Sequence, residues 1–87
     1  MNTPRIETVQ VLEERRLLVK FVNGVAKVYD CKPLVRLDAF RMLANDAFFK
    51  AVKVDAGGYG ISWNDDVDLS EYELWVNGQE LAATHGV

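Results

Sequence analysis

Asp65, Asp66 and Asp68 are the densest set of hard oxygen ligands in the chain. Carboxylates so spaced suit calcium or magnesium, but a calcium loop read from Asp66 needs glycine at its sixth position and glutamate at its twelfth. Glu71 and Asn77 stand there instead, so the three aspartates read as a polar loop before a helix, with Asp68 or Ser70 as cap. Cys31 is the only cysteine and His85 the only histidine, which excludes an intramolecular disulfide and a multi-cysteine zinc site. Nucleophilic catalysis would need His85 to act as base for Cys31 or a serine, yet His85 lies two residues from the C-terminus in an expected tail. Lys32 would favour the Cys31 thiolate, but a lone thiol after a strand reads as a small apolar residue. Gly57-Gly58-Tyr59-Gly60 joins two strands and leads into no helix, so it is a hairpin turn and not a phosphate cradle. These readings leave no catalytic, metal or cofactor residues, and the expectation is a protein that is not an enzyme. A small-ligand pocket near Tyr29, Cys31 and Trp63 is the weakest of the functional classes.

Charge offers two further surfaces. All ten Lys and Arg lie at or before Lys53, against six acids, so residues 1–53 carry +4. Residues 54–87 carry seven acids and no base, −7. The acidic third also holds Tyr72 and Trp75, and Asp65, Asp66, Asp68, Tyr72 and Trp75 are the candidate partner-binding residues, facing a small basic protein. The alternative is nucleic-acid binding by Arg5, Arg15, Arg16, Lys20 and Lys27 on the N-terminal hairpin. Internal neutralisation of the two halves is the plainer reading of the same asymmetry.

The elements that must position these residues follow from periodicity. With 87 residues, 49% hydrophobic and 26% charged, the chain suits one small globular domain. No stretch is apolar enough to span a membrane and the N-terminus lacks a secretory signal, so a cytoplasmic protein is expected. Arg5–Leu12 and Leu17–Val22 alternate as strands, and Asn23-Gly24 predicts a type I′ turn into a third strand, Val25–Asp30. After Pro33, Leu34, Leu37, Phe40 and Leu43 recur at three-residue steps and predict a helix whose apolar stripe covers the sheet, with Asp38 capping its regular part. Asn45 stops or caps, and residues 47–50 make one short turn. Val52 and Val54, the Gly57-Gly58 turn, and Tyr59, Ile61 and Trp63 predict a second hairpin, with Gly60 and Ser62 on the face that admits another backbone. Ser70-x-x-Glu73 is a capping box for a short last helix. The predicted fold is α+β: a five-stranded, largely antiparallel sheet packed on helices, with a single domain over 1–78 and a tail over 79–87. Free edge strands in such a sheet make a homodimer the other candidate assembly.

Several of these residues also carry a resemblance. Pro4-Arg5-Ile6, the run Leu18-Val19-Lys20-Phe21-Val22-Asn23-Gly24, Val28-Tyr29-Asp30, Pro33-Leu34, Phe40 and Leu43 are similar to domain-of-unknown-function family 2442 (DUF2442), small α+β proteins of bacteria. Phe49, Val52, Val54-Asp55, Gly60-Ile61-Ser62-Trp63, Asp66-Val67-Asp68-Leu69-Ser70 and Leu74-Trp75 extend it, so that it covers roughly residues 4–76. The resemblance implies an antiparallel sheet against helices and no catalytic residue or cofactor. Some relatives join this domain to a helix-turn-helix, and others lie beside genes resembling toxin–antitoxin partners. Since this chain ends near where a DNA-binding part would begin, the resemblance favours an interaction or sensing module, with an antitoxin-like role by association.

Overall fold

The computed structural model describes residues 3–81. In chain order the strands are β1 (Ile6–Leu12), β2 (Arg16–Phe21), β3 (Ala26–Asp30), β4 (Lys53–Val54), β5 (Gly60–Ser62), β6 (Asp68–Ser70) and β7 (Gln79–Glu80). Two short α-helices are α1 (Asp46–Phe49) and α2 (Glu71–Asn77), and 3-10 turns run over Lys32–Arg36, Asp38–Ala44 and Ala56–Gly58. The fold is mixed α and β with antiparallel pairing, as expected, but the single five-stranded sheet is not what forms. There are two sheets, one ordered β1-β2-β3-β7 and one ordered β4-β5-β6. The reason is length: β4 to β6 have two or three residues each, and β5 is satisfied by β4 on one side and β6 on the other. The fourth strand of the first sheet comes from the expected tail, where β7 pairs with Lys27 and Val28 of β3. The folded unit therefore extends past Gly78. His85 lies outside the described residues.

Period-two alternation works as expected in the first three strands. The register pairs Val9 with Val19, Val11 with Leu17, and Leu17 with Tyr29, so these residues share the inner face. Leu17, Val19, Phe21, Tyr29, Leu43, Phe49, Ile61, Leu69 and Leu74 are buried in one core, each fully buried large side chain contributing roughly 1.5–3 kcal/mol. Trp75 lies edge-on to Phe21, ring centroids 5.0 Å apart, and Trp63 stacks on Phe49 at 6.0 Å.

The turn at Asn23-Gly24 forms where Asn-Gly chemistry predicts it, but not in the predicted type. At Asn23-Gly24 only Gly24 has positive φ. The Gly24 amide donates to the Phe21 carbonyl and the Phe21 amide to the Val25 carbonyl, a type I turn closed by a left-handed glycine instead of type I′. Two consecutive left-handed residues occur at the β1–β2 tip, in Glu14 (φ 61°) and Arg15 (φ 56°). Arg15 is held there by its guanidinium, which donates to Asp46 Oδ1 at 2.5 Å and to the Ala44 carbonyl at 2.8 Å and lies over the Phe49 ring. The same guanidinium holds the Asp46 carboxyl below the usual carboxylate range.

The expected helix after Pro33 is a pair of 3-10 helices, which have three residues per turn and so match the three-residue steps of Leu34, Leu37, Phe40 and Leu43. Leu37 falls at the extended break between them and is 53% exposed, while Leu43 is buried. Asp38 opens the second 3-10 helix without capping it and bonds Arg41 instead. Asn45 does cap α1, its side chain accepting from the Phe48 amide at 2.9 Å. Among the described residues no helix is long and apolar enough to cross a membrane.

Candidate interaction surface

The five candidate acidic and aromatic residues do not form one patch. Asp65 and Asp66 lie in the loop joining β5 to β6, an Asx turn in which Asn64 Oδ1 accepts from the amides of Asp66 and Val67. Asp68, also exposed, starts β6 opposite Ser62. Tyr72 stands on α2, at the other end of the β5–β6 hairpin, and is 63% exposed. Trp75 faces inward onto Phe21, capped by Lys27, whose ammonium lies 4.0 Å from the ring centroid and donates to the Trp75 carbonyl.

The five basic residues are likewise dispersed. Arg16 and Lys20 alternate with Leu17, Val19 and Phe21 and so point away from the core. Lys27 pairs with Val19 on the inner face and is spent on Trp75. Arg15 is tied to Asp46, and Arg5 sits across from Tyr59. Strand parity separates Lys27 from Arg16 and Lys20, while Arg5 and Arg15 lie outside the strands.

The residues of the expected ligand pocket are core. Cys31 is fully buried, and burial pushes its thiol up to about 12 against the opposing pull of Lys32. Trp63 Nε1 donates to the Phe49 carbonyl at 2.9 Å. The Tyr29 hydroxyl donates to Glu73 Oε2 at 2.8 Å, and burial first, that carboxylate second, raises its pKa. Ser70 caps α2 by accepting from the Glu73 amide at 3.1 Å, so half of the capping box forms while the Glu73 side chain serves Tyr29. Among the described residues no buried side-chain polar atom lacks a partner, and no three His, Cys, Asp or Glu side chains gather as metal ligands.

What the fold does assemble at the surface is a concavity of about 610 Å³ lined by Thr3, Pro4, Arg5, Val22, Tyr59, Glu71 and Tyr72. Four chain segments meet there, and backbone hydrogen bonds fasten them. The Val22 amide donates to the Arg5 carbonyl at 2.8 Å, and the Glu71 amide to the Tyr59 carbonyl at 3.0 Å. Arg5 donates to the Tyr59 hydroxyl at 2.8 Å and its guanidinium carbon lies 5.1 Å from the ring centroid. The glycines before Tyr59 make this placement possible. A Cβ on Gly57 would stand 2.8 Å from the Tyr59 ring, and one on Gly58 would stand 2.5 Å from the Ile6 carbonyl oxygen. Both have positive φ, which glycine adopts at no steric cost. Tyr59 is 58% and Val22 62% exposed, large apolar surfaces held in place without being buried.

Tyr72 is thus the one candidate residue that the concavity contains from the acidic set, and Arg5 the one from the basic set. Tyr59 was expected to line one side of the second hairpin's later strand with Ile61 and Trp63. It lies one residue outside β5, where alternation no longer governs it, and the paired glycines before it are the sequence signal for its special position. A second concavity, of about 360 Å³, opens beside Arg15, Asp46, Phe49 and Lys50, but its arginine is already committed to Asp46 and Ala44. No curated protein and no solved structure matches the chain. The model of a family described as a protein of unknown function, DUF2442, matches residues 6–80 of the 87, and the chain belongs to that family.

Proposed function

We propose that this chain is a non-enzymatic protein-interaction module of regulatory or sensing kind, and that it docks its partner on the Tyr59–Tyr72 concavity. The observation that carries this reading is that Tyr59, Tyr72 and Val22 stand exposed around one hollow while the backbone beneath them is fixed by hydrogen bonds. Binding there loses little conformational freedom, and exposed aromatic rings are the side chains that anchor protein interfaces. The core positions of Cys31, Tyr29 and Trp63, each with its polar group satisfied or buried as a small apolar residue, support a scaffold over a reaction centre.

The test compares what the tagged protein retains from its native cell in three forms: unchanged, Tyr72→Glu, and the triple variant Asp65→Asn, Asp66→Asn, Asp68→Asn, each checked for retained fold by circular dichroism. Protein joined to the unchanged and triple-variant forms by chemical crosslinking in the native cell before capture, and lost with Tyr72→Glu, is the expected result. Loss with the triple variant alone would move the site to the acidic loop. Nuclease-sensitive retention would favour a nucleic-acid role instead.

A further inference from the structure

We infer that the occupant of the Tyr59–Tyr72 surface is a second copy of this chain, related by a two-fold axis; this rests on the docking reading above and deepens it. The argument is charge self-complementarity. The surface is lined by one base, Arg5, whose guanidinium donates to the Tyr59 hydroxyl, and one acid, Glu71, whose backbone amide donates to the Tyr59 carbonyl. Neither belongs to an ion pair among the described residues, where the pairs are Arg15–Asp46, Lys20–Glu7, Lys32–Asp30 and Arg41–Asp38. Arg5 uses one of its five N–H donors on Tyr59. A wholly basic partner would find a single acid here and would meet Arg5 as a like charge; an acidic partner has the converse difficulty with Glu71. In an isologous contact the same patch faces itself, so residue i meets j and j meets i. Arg5 of each copy then faces Glu71 of the other, two pairs form at once, and the Tyr59, Tyr72 and Val22 side chains of the two copies close over one another between them.

Size sets the strength. Stable interfaces engage about 20–30 residues a side, whereas this concavity has seven lining residues. The dimer is therefore weak, with a Kd on the order of 0.1 mM, and loosens with salt as its two rim pairs are screened.

The experiment is sedimentation equilibrium with amide chemical-shift mapping over about 0.02–1 mM protein, a range that brackets such a Kd. The unchanged protein should pass from monomer to dimer, with the shifts concentrated at residues 5, 22, 59 and 71–72. Arg5→Glu and Glu71→Arg should each raise Kd at least about tenfold when alone, because each sets like charges opposite one another. Mixed one to one, the two variants should recover a heterodimer, since every rim contact is again between opposite charges. Tyr72→Glu should be monomeric and gain nothing from mixing. A monomer throughout the range, shifts confined to other surfaces, or no recovery on mixing overturns the second-copy inference. The docking reading falls separately, only if retention of a partner protein from the native cell is indifferent to Tyr72→Glu.

Discussion

Replacing Glu14 by glycine should stabilise the domain. Glu14 has φ 61°, a conformation that costs an L-residue roughly 1–2 kcal/mol. Its side chain is exposed and makes no hydrogen bond or ion pair among the described residues, while its backbone carbonyl accepts from Lys32 Nζ at 3.1 Å, a bond that glycine keeps. Glycine removes the strain but adds roughly 0.5–1 kcal/mol of unfolded-chain entropy. The net gain is about 0.5–1 kcal/mol, which in a domain of this length raises Tm by roughly 2–8 °C. Thermal unfolding followed by far-ultraviolet circular dichroism measures it, with urea titration as the check on the free-energy change. Arg15→Gly is the necessary comparison. It relieves the same strain at φ 56° but loses the bonds to Asp46 and Ala44 and the contact with Phe49, and it should be less stable than the unchanged protein. An unchanged or lower Tm for Glu14→Gly, or an equal rise for Arg15→Gly, would refute the view that the Arg15 clamp holds a strained turn in place.

Three other outcomes follow from the packing. Leu43→Ala, at a fully buried position, should cost about 3 kcal/mol, whereas Leu37→Ala, at the exposed break between the 3-10 helices, should change the urea midpoint by less than about 0.5 kcal/mol equivalent. Gly58→Ala should destabilise by at least about 2 kcal/mol, because its Cβ meets the Ile6 carbonyl oxygen at 2.5 Å and its φ is +77°, and it should shift the Tyr59 ring resonances as that ring leaves Arg5. Stability should fall with alkali. Cys31 holds its proton more tightly folded, with a pKa of about 12, than at its ordinary value of 9.0, and Tyr29 is shifted in the same direction. Their contribution is complete below about pH 9 and is lost as pH rises from there toward 12, at up to about 1.4 kcal/mol per pH unit per proton. Urea midpoints between pH 8 and 11 would show the decline, and a Cys31→Ala variant, whatever its own loss at neutral pH, should decline less steeply at the start of that range.

How much of this was legible in the chain depends on which interaction decides each element. The first three strands read correctly because one face is buried and alternation at Leu17, Val19 and Phe21 is strict. The stripe Leu34–Leu43 had the right period for a 3-10 helix, and taking three-residue steps as an α-helical face misassigned it. Asn23-Gly24 marked a turn but not its type: only Gly24 is left-handed, and the Asn23 side chain accepts from the Val25 amide. The split into two sheets and the recruitment of residues 79–80 were illegible: strands of two or three residues carry almost no periodic signal, and their partners are chosen by geometry. The charged candidates were read by their order along the chain. Register decides instead which side of the sheet each one faces, and it sends Lys27 inward and Lys20 outward. Tyr72 was identified from its acidic neighbours, while its companions Tyr59, Val22 and Arg5 come together only through backbone bonds between distant segments.

The late arrival of Trp75 and β7 bears on synthesis. On the ribosome, residues 6–30 emerge before residues 75–81 and can pair locally as a three-stranded meander, leaving Phe21 open on the face that Trp75 will cover and β3 with an unpaired edge at Ala26–Val28. Both gaps close only when a segment some fifty residues downstream clears the exit tunnel, and the Leu81 amide reaches the Ala26 carbonyl. A stall in translation between residue 30 and residue 75 therefore holds the chain in its most adhesive form, and a chaperone that shields a short, half-built sheet would be needed most during that interval.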